Sequence, residues 1–505
     1  MAPKFLQNLV PRREKKEGDQ KLWPALKSIT LVQWAQFWSG YVAWTCDSID
    51  FFSVSLTVPM LAAQFGKETT SITTAITLTL LFRSVGAVIF GILSDRFGRK
   101  WPLVFNLVLC SILELGTGFV QTYKQFLAVR ALFGVAMGGV WGLASSTALE
   151  NLPVATRGLA SGVLQEGYAV GYLLAAVINL TLVAETHQGW RTLFWTGAGI
   201  SMFAAIIRAM VPESEVFLRA KAIEKAKGTT TTKKTKIFLR EMKEMLKRHW
   251  LLCIYAVLLM TGFNFLSHGS QDLYPTYLET SKNFSAHNAT IATIIGNLGA
   301  FAGGSIAGWM SQYIGRRLTI IICVLLVGVF IPLWILPTSF SALAAGAFCI
   351  QVGVQGAWGV VRPFPPSPDH TSQTNDLTQI PIQLAELSPP AFRATFPGVA
   401  YQVGNMISSA SAQIEATGGN NLKTTIMVDG APKVVDDYAT VQGIFIGVIV
   451  AFVIFITIIG PENHSSHFEK HKTAFEEGAA ADDAVLEDES TGSQAGDEKS
   501  LHESA

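Results

Sequence analysis

Twelve stretches of the chain run for about a bilayer's width with few charges in them, near 32–62, 72–93, 102–121, 126–149, 158–183, 192–211, 250–278, 288–311, 318–337, 341–361, 397–416 and 438–460. About 20 apolar residues are enough for a helix to cross the hydrocarbon. The pattern therefore predicts an all-α membrane protein with 12 transmembrane helices in two six-helix halves. The halves occupy 32–211 and 249–460, joined by a basic linker at 212–248. A basic N-terminus (1–31) precedes them, and an acidic tail (461–505) follows, whose composition predicts disorder.

Composition supports this. Only 15% of the residues are charged and mean hydropathy is +0.35, where a soluble protein carries about 25%. Charge is also unevenly placed: residues 1–30 hold seven Lys or Arg and residues 212–248 hold eleven. Arg96, Arg99, Lys100, Arg316 and Arg317 belong to the same side, whereas the opposite loops offer little beyond Lys67, Lys124, Lys282, Lys423 and Lys433. The positive-inside rule then predicts that both termini are cytosolic. The sequons at Asn179, Asn283 and Asn288 would fall outside, where glycosylation occurs. The N-terminus lacks the apolar core of a cleavable signal, so the first span is expected to do the targeting. The five cysteines sit in apolar stretches without metal spacing and read as buried free thiols.

The two halves repeat. Gly91-x-x-x-Asp95-Arg96-x-Gly98-Arg99-Lys100 follows the second span, and Gly308-x-x-x-Gln312-Tyr313-x-Gly315-Arg316-Arg317 follows the eighth. Glu150-x-x-Pro153-x-x-x-Arg157 after the fourth span is matched by Glu386-x-x-Pro389-x-x-x-Arg393 after the tenth. Such correspondence points to parallel six-helix halves. It also exposes an insertion: Trp141 precedes Glu150 by nine residues, but Trp358 precedes Glu386 by 28. The excess of 19 matches the polar, Pro-rich run 361–379. We read it as a retained intron, since valine codons begin GT, a glutamine codon can end AG, and 19 residues is a whole number of codons. A genuine cytosolic insertion is the alternative.

Ionisable groups inside a membrane are costly and therefore informative, an arginine at a helix centre costing about 2.5–3.5 kcal/mol or more. Arg130, in VRALFGVAMGG, either faces a cavity, where a guanidinium grips a carboxylate in bidentate fashion, or snorkels to the interface. Arg83 carries the same ambiguity. Asp47 and Asp50 share a face of the first span and are candidates for proton coupling; Glu114 and Glu166 are further acids in apolar stretches. Each acid could equally pair with a buried arginine. In the seventh span, NFLSHGSQDLYPT places Asn264, His268 and Asp272 on one face, with Ser267 and Gln271 as a neighbouring stripe. Imidazole titrates between pH 5 and 8. The alternative is a helix end dissolving into an external loop, which Pro275 would favour.

Gly91 to Lys100 resembles the loop signature of the major facilitator superfamily. There glycines let helices approach, and Asp95, Arg96, Arg99 and Lys100 form a charge network that breaks as the carrier changes state. The seventh-span stretch closely resembles the signature of fungal Jen-type lactate/pyruvate:proton symporters, in the sialate:proton symporter family: Asn264, Ser267, His268, Ser270, Gln271, Asp272 and Thr276 fill its seven fixed positions. The likeness extends over most of residues 30–460. It implies the major facilitator fold and a multi-pass plasma-membrane symporter importing short monocarboxylates (lactate, pyruvate, also acetate or propionate) by alternating access. His268 and Asp272 are implied in proton coupling, Arg130 and Gln402 in substrate recognition. Asn264, Ser267, His268 and Gln271 join them as expected substrate ligands.

The proton would be the coupling ion, with no other cofactor and no metal. The expected partners are a small carboxylate and the bilayer, with ubiquitin or phosphorylation machinery at the tail and no nucleic acid. A dicarboxylate (malate or succinate) permease of the same family and a transport-dead nutrient sensor are the alternatives. An enzyme is not expected, because no phosphate loop, nucleophile motif or metal spacing is present. For the insertion, sequencing the transcript is the test: spliced reads should lack codons 361–379, and uniformly unspliced message would refute the reading.

Overall fold

The computed structural model describes residues 22–214, 217–218, 247, 250–314, 316–359, 395–428 and 431–460. After a short helix, Leu22–Lys27, six long helices form the first half: α1 (Leu31–Phe65), α2 (Thr69–Phe97), α3 (Lys100–Phe119), α4 (Tyr123–Leu149), α5 (Val154–Ile178) and α6 (Trp190–Met210). The second half contains α7 (Trp250–Gln271), α8 (Ala286–Ile314), α9 (Arg316–Ile335), α10 (Phe340–Trp358), α11 (Thr395–Ser408) and α12 (Tyr438–Ile459). Eleven helices among the described residues are long and apolar enough to cross a membrane. The predicted eleventh span is the exception. It breaks after Ser408 and resumes as a second piece, Ser411–Asn421. A small hairpin, β1 (Lys423–Val428) and β2 (Ala431–Asp436), then leads into α12; the apolar pattern had not foreshadowed it.

Helix ends follow local chemistry. Thr30 and Thr122 each accept from the N–H three residues on, and Gln33 and Gln125 return the bond, closing capping boxes on α1 and α4. Gly66, with φ 58°, stops α1 in the left-handed region.

Small residues set the spacing between helices, and they do so twice. A Cβ added at Gly138 of α4 would lie 1.9 Å from the Arg83 carbonyl oxygen of α2, and one at Gly134 would lie 2.4 Å from that of Thr79. In the second half, Gly299 and Gly303 of α8 meet the carbonyls of Phe348 and Val352 on α10 at 2.3 and 2.1 Å in the same construction. The α2–α4 pair thus recurs as α8–α10, as the sequence repeat requires. Close approach of backbones replaces the hydrophobic drive that lipid cannot supply.

Where α2 and α5 meet the second half, hydrogen bonds cluster at the end remote from the start of α1. Thr73 Oγ1 donates to Gln413 Oε1 at 2.8 Å, Thr77 Oγ1 to the Ser409 carbonyl at 2.8 Å, and Asn420 Nδ2 to Glu68 Oε2 at 3.5 Å. Asn179 Nδ2 of the π turn after α5 donates to Thr290 Oγ1 of α8 at 3.2 Å. This far end is closed. Asn179 is buried there, so the expectation that its sequon offers a glycosylation site does not hold in this state.

Two further sequence expectations change. Gly91 is exposed and a Cβ on it would touch nothing within 4 Å, so it is not a close-packing glycine here; its counterpart Gly308 is, at 2.6 Å from the Gly359 carbonyl. Gly98 serves the turn itself, with φ 94°. The side chains of Asp95, Arg96, Arg157, Gln312 and Arg316, most of the linker, the segment 361–379, the second Glu-x-x-Pro motif and the tail lie outside the described residues.

Gly138→Ala should therefore force α2 and α4 apart and abolish a monodisperse peak on detergent gel filtration. Gly142→Ala, at a position with open space around it, should leave that peak unchanged.

Candidate functional site

The seventh helix ends where its sequence cannot continue it. Pro275 has no N–H to offer the Gln271 carbonyl four residues back, and the chain bends at Asp272 and Leu273 before resuming as the short helix Tyr274–Thr280. The freed Gln271 carbonyl does not stay unpaired. Tyr172 of α5, in the other half, donates its hydroxyl to it at 3.1 Å.

At this bend the signature residues are buried rather than bathed in an external loop: His268 is 3% exposed and Asp272 0%. Asp272 still donates its backbone N–H to the His268 carbonyl at 2.9 Å. That preserves the one-turn spacing, so His268 Nδ1 lies 3.3 and 3.1 Å from the two Asp272 carboxylate oxygens. The edge of the pair meets Phe51 of α1, whose ring centroid is 5.5 Å from the imidazole. Phe52 stacks on Tyr172 at 3.6 Å. An imidazole nitrogen at this distance can hydrogen-bond to the carboxylate.

Ser267 and Gln271 turn the other way. Ser267 Oγ donates to Gln271 Oε1 at 3.2 Å, and Gln271 Nε2 donates to Gln351 Oε1 of α10 at 2.8 Å. Gln351 in turn reaches Ser270 Oγ at 3.1 Å. This stripe ties α7 to α10.

Asn264 is different. Helix α11 crosses α7 at Gly404, where an added Cβ would lie 2.8 Å from the Met260 Cβ. Asn264 is one turn beyond Met260 and Asn405 is next to Gly404 at the crossing, while Gln402, two residues before Gly404, lies on the other face of α11. All three are buried. Asn264 Nδ2, Gln402 Oε1 and both Asn405 amide atoms have no hydrogen-bond partner among the described residues. Two amide donors left over at one helix crossing suit an anionic oxygen ligand.

In the first half the acids are committed elsewhere. Asp47 pairs with Arg83 of α2 at 3.3 Å, and Asp50 accepts from Ser201 of α6 at 2.8 Å. Arg130 pairs with Glu114 of α3 at 2.7 Å and stands over Phe133 at 4.1 Å from its ring centre. Arg130 does not snorkel; at 1% exposure it is fully enclosed. The structure joins His268 to Asp272, and separately Ser267 and Gln271 to Gln351 and Ser270; it puts Asn264 beside the α7–α11 crossing and Gln402 on the other face of α11. It does not bring Asp47, Asp50 or Arg130 into hydrogen bonding with any of these.

The loop motif builds a separate network at the end of the bundle where α1 starts and α6 finishes. Glu213, after α6, accepts the backbone N–H groups of Arg99 (3.2 Å) and Lys100 (3.0 Å) at the start of α3, and Arg99 Nε lies 3.5 Å from Glu150 Oε2. Asp95, the acid of the motif itself, has its side chain outside the described residues; among the described side chains, Glu150 and Glu213 are the acids of this network.

Four residues escaped the sequence reading. Asn405 follows Gln402 by three and could have been found by helical spacing. Gln351 is an amide within an apolar run. Tyr172 reads as an ordinary aromatic, and Glu415 stood at the edge of the predicted eleventh span.

Residues 41–410 match the family described as Major Facilitator Superfamily. The chain belongs to the Major Facilitator Superfamily. It is 34% identical over 450 residues to the Carboxylic acid transporter protein homolog of Saccharomyces cerevisiae, covering 87% of this chain and 70% of the yeast protein. It is 28% identical to the Probable 4-methylmuconolactone transporter of Cupriavidus pinatubonensis, over 86% of this chain and 91% of that one. Among solved structures, the xylose transporter XylE from E. coli in a partially occluded inward open conformation superposes with a TM-score of 0.66 at 16% identity, over 87% of this chain and 100% of that one. The fold is that of a transporter, not an enzyme.

If the halves move against each other as carriers do, the bonds between them must open. Tyr172→Phe removes the inter-half bond to the Gln271 carbonyl, worth about 1 kcal/mol. It should raise labelling of a Thr276→Cys variant by a membrane-impermeant maleimide added from the far side, by roughly fivefold. Unchanged labelling would show that the hydroxyl does not hold the halves together.

Proposed function

We propose that this major facilitator carries carboxylates and, more finely, imports short monocarboxylates such as lactate and pyruvate together with a proton across the plasma membrane, with both termini in the cytosol. The printed names of the two sequence relatives, a carboxylic acid transporter homolog and a methylmuconolactone transporter, support the carboxylate class. The observation that carries the proton reading is the His268–Asp272 pair, held at 3.1 Å, buried, and seated beneath the far-end closure.

The chemistry follows from charge. Lactate is almost wholly ionised near neutral pH, and moving an anion through a low-dielectric site is costly. A proton taken up with it cancels the charge and lets the proton gradient do work. The imidazole–carboxylate pair can take that proton, while Asn264 and Asn405 offer amide donors to the carboxylate oxygens and Gln402 an acceptor for a substrate hydroxyl. Arg130 reaches substrate only by exchanging Glu114 for it, which protonation of Glu114 would allow. Ser267 and Gln271 reach it only by releasing Gln351. Asp47 is held by Arg83, and a coupling role for it or Asp50 requires those bonds to open. The network of Arg99, Glu150 and Glu213 supports a gate at the opposite end.

The test is uptake of labelled lactate by a transporter-null yeast with and without an uncoupler. Accumulation should collapse with the gradient, and uptake indifferent to it would exclude symport. Lactate, pyruvate, acetate and propionate should compete; uptake of succinate competed by lactate would favour the dicarboxylate reading instead.

His268→Ala and Asp272→Asn should lose accumulation, and wild-type accumulation in both would remove their role. Asn264→Ala and Asn405→Ala should each raise KM for lactate roughly tenfold, the worth of one hydrogen bond to a charged acceptor, which uptake kinetics at several lactate concentrations would measure.

A further inference from the structure

The second piece of the eleventh span, Ser411–Asn421, carries an acid that the foregoing mechanism does not use. Glu415 is 0% exposed. Its Oε2 accepts from Gln442 Nε2 of α12 at 3.0 Å, and its Oε1 from Ser411 Oγ at 3.5 Å. No cation pairs with it among the described residues. Asp47 and Glu114, enclosed likewise, are each held by an arginine; Asp50 shares with Glu415 the lack of a paired cation among the described residues, but it lies in the first half, bound by Ser201.

A carboxylate in a membrane without a counter-ion is expensive, and a proton is the smallest ligand that removes the expense. Its partner fits that exchange. Gln442 is also 0% exposed, and its Oε1 has no hydrogen-bond partner. A primary amide can donate to a carboxylate through its nitrogen or accept from a carboxylic acid through its oxygen. Gln442 can therefore serve Glu415 in either protonation state, as a lysine or arginine could not.

Acids and a phenol are among the ionisable groups on the elements packed around it, and two basic groups there, His268 and Lys423, are engaged by Asp272 and Asp436. From α7, Asp272 lies within electrostatic reach of Glu415 and is itself bound by His268. From α12 comes Tyr438, whose hydroxyl meets Asn420 Oδ1 at 3.5 Å. From the cap of α2 comes Glu68, bound by Asn420, and from β2 comes Asp436, already paired with Lys423.

Position adds the function. The same 11-residue piece that holds Glu415 supplies Gln413 and Asn420, two of the contacts that close the far end against α2. When those contacts part, water reaches the carboxyl; when they form, the carboxyl is sealed. We propose that Glu415 is a second proton-binding site, loaded while the far gate is open and carried as a neutral acid through closure. It takes one proton from water on that side, no bond of substrate is made or broken, and after closure the proton leaves Glu415 toward Asp272, the acid within its electrostatic reach, and from there to the opposite side. The inference rests on the proton-symport reading.

The experiment uses the full-length protein in liposomes. Glu415→Gln, a permanent mimic of the protonated state, should lose lactate accumulation driven by an imposed pH gradient at least tenfold, while exchange of labelled for unlabelled lactate persists. Persistent exchange also shows that the variant is folded. Accumulation at the wild-type level would overturn the proposal. Should Glu415→Gln fail to fold, Gln442→Leu keeps the carboxyl and removes its donor. It should displace the pH profile of uptake, and an unshifted profile counts against the site.

A readout independent of coupling separates this idea from the symport reading. Infrared difference spectra of the wild type across a pH titration should contain a carboxylic-acid carbonyl band that Glu415→Gln removes. A spectrum insensitive to the substitution refutes proton binding at Glu415 even where transport is proton-driven. Wild-type uptake indifferent to the gradient, with the band present, sinks symport alone.

Discussion

A polar atom inside a bilayer must find its partner within the protein, and that constraint organises this molecule. Lipid offers no hydrogen bonds, so each buried charge is answered by another side chain, a backbone group or a proton. Asp47 has Arg83, Glu114 has Arg130, Asp272 has His268, and Glu415 has Gln442. The choice of partner differs between the halves. Among the described residues, the buried acids of the first half that form ion pairs face guanidinium groups, whose own charge is fixed. Those of the second half face an imidazole and an amide, which tolerate a change of protonation. The scaffold repeats while the chemistry does not.

One proline ties the site to the other half. By withholding an N–H, Pro275 frees the Gln271 carbonyl, and Tyr172 claims it from across the interface. The same bend sets Asp272 against His268 and lets Gln271 reach α10. A break in one helix therefore presents the His268–Asp272 pair and ties the same turn both to α10 and to α5 of the other half. The broken eleventh span repeats the idea, since its second piece bears both gate contacts and a carboxyl. Where helices are interrupted in a membrane, the freed groups must be satisfied by neighbours, so interruptions and inter-half contacts coincide.

The close packing beneath these features leaves little slack. Glycines of α4 against α2 and of α8 against α10 bring backbones nearly into contact, making each half a body able to move as a unit. The seam between the halves is held differently, by side-chain hydrogen bonds rather than glycine contacts. Polar residues at the seam can exchange partners at small cost; the glycine contacts cannot.

Much of this was legible from the chain alone. Apolar runs and the paired loop motifs determined the helices, their order and the twofold repeat, because burial in lipid demands long apolar segments whatever their neighbours. The spacing of Asn264, His268 and Asp272 placed them on one face of one helix, which local geometry decides. Tertiary structure alone decided which groups meet across helices: that Arg130 goes to Glu114 and Asp47 to Arg83, that Gln271 is spent on Gln351, that Tyr172 caps a carbonyl freed by Pro275, and that Glu415 is sealed without a cation. Periodicity reports which way a side chain faces but not what faces it, and in a membrane the partner, rather than the direction, sets whether a charge is locked or able to take up a proton.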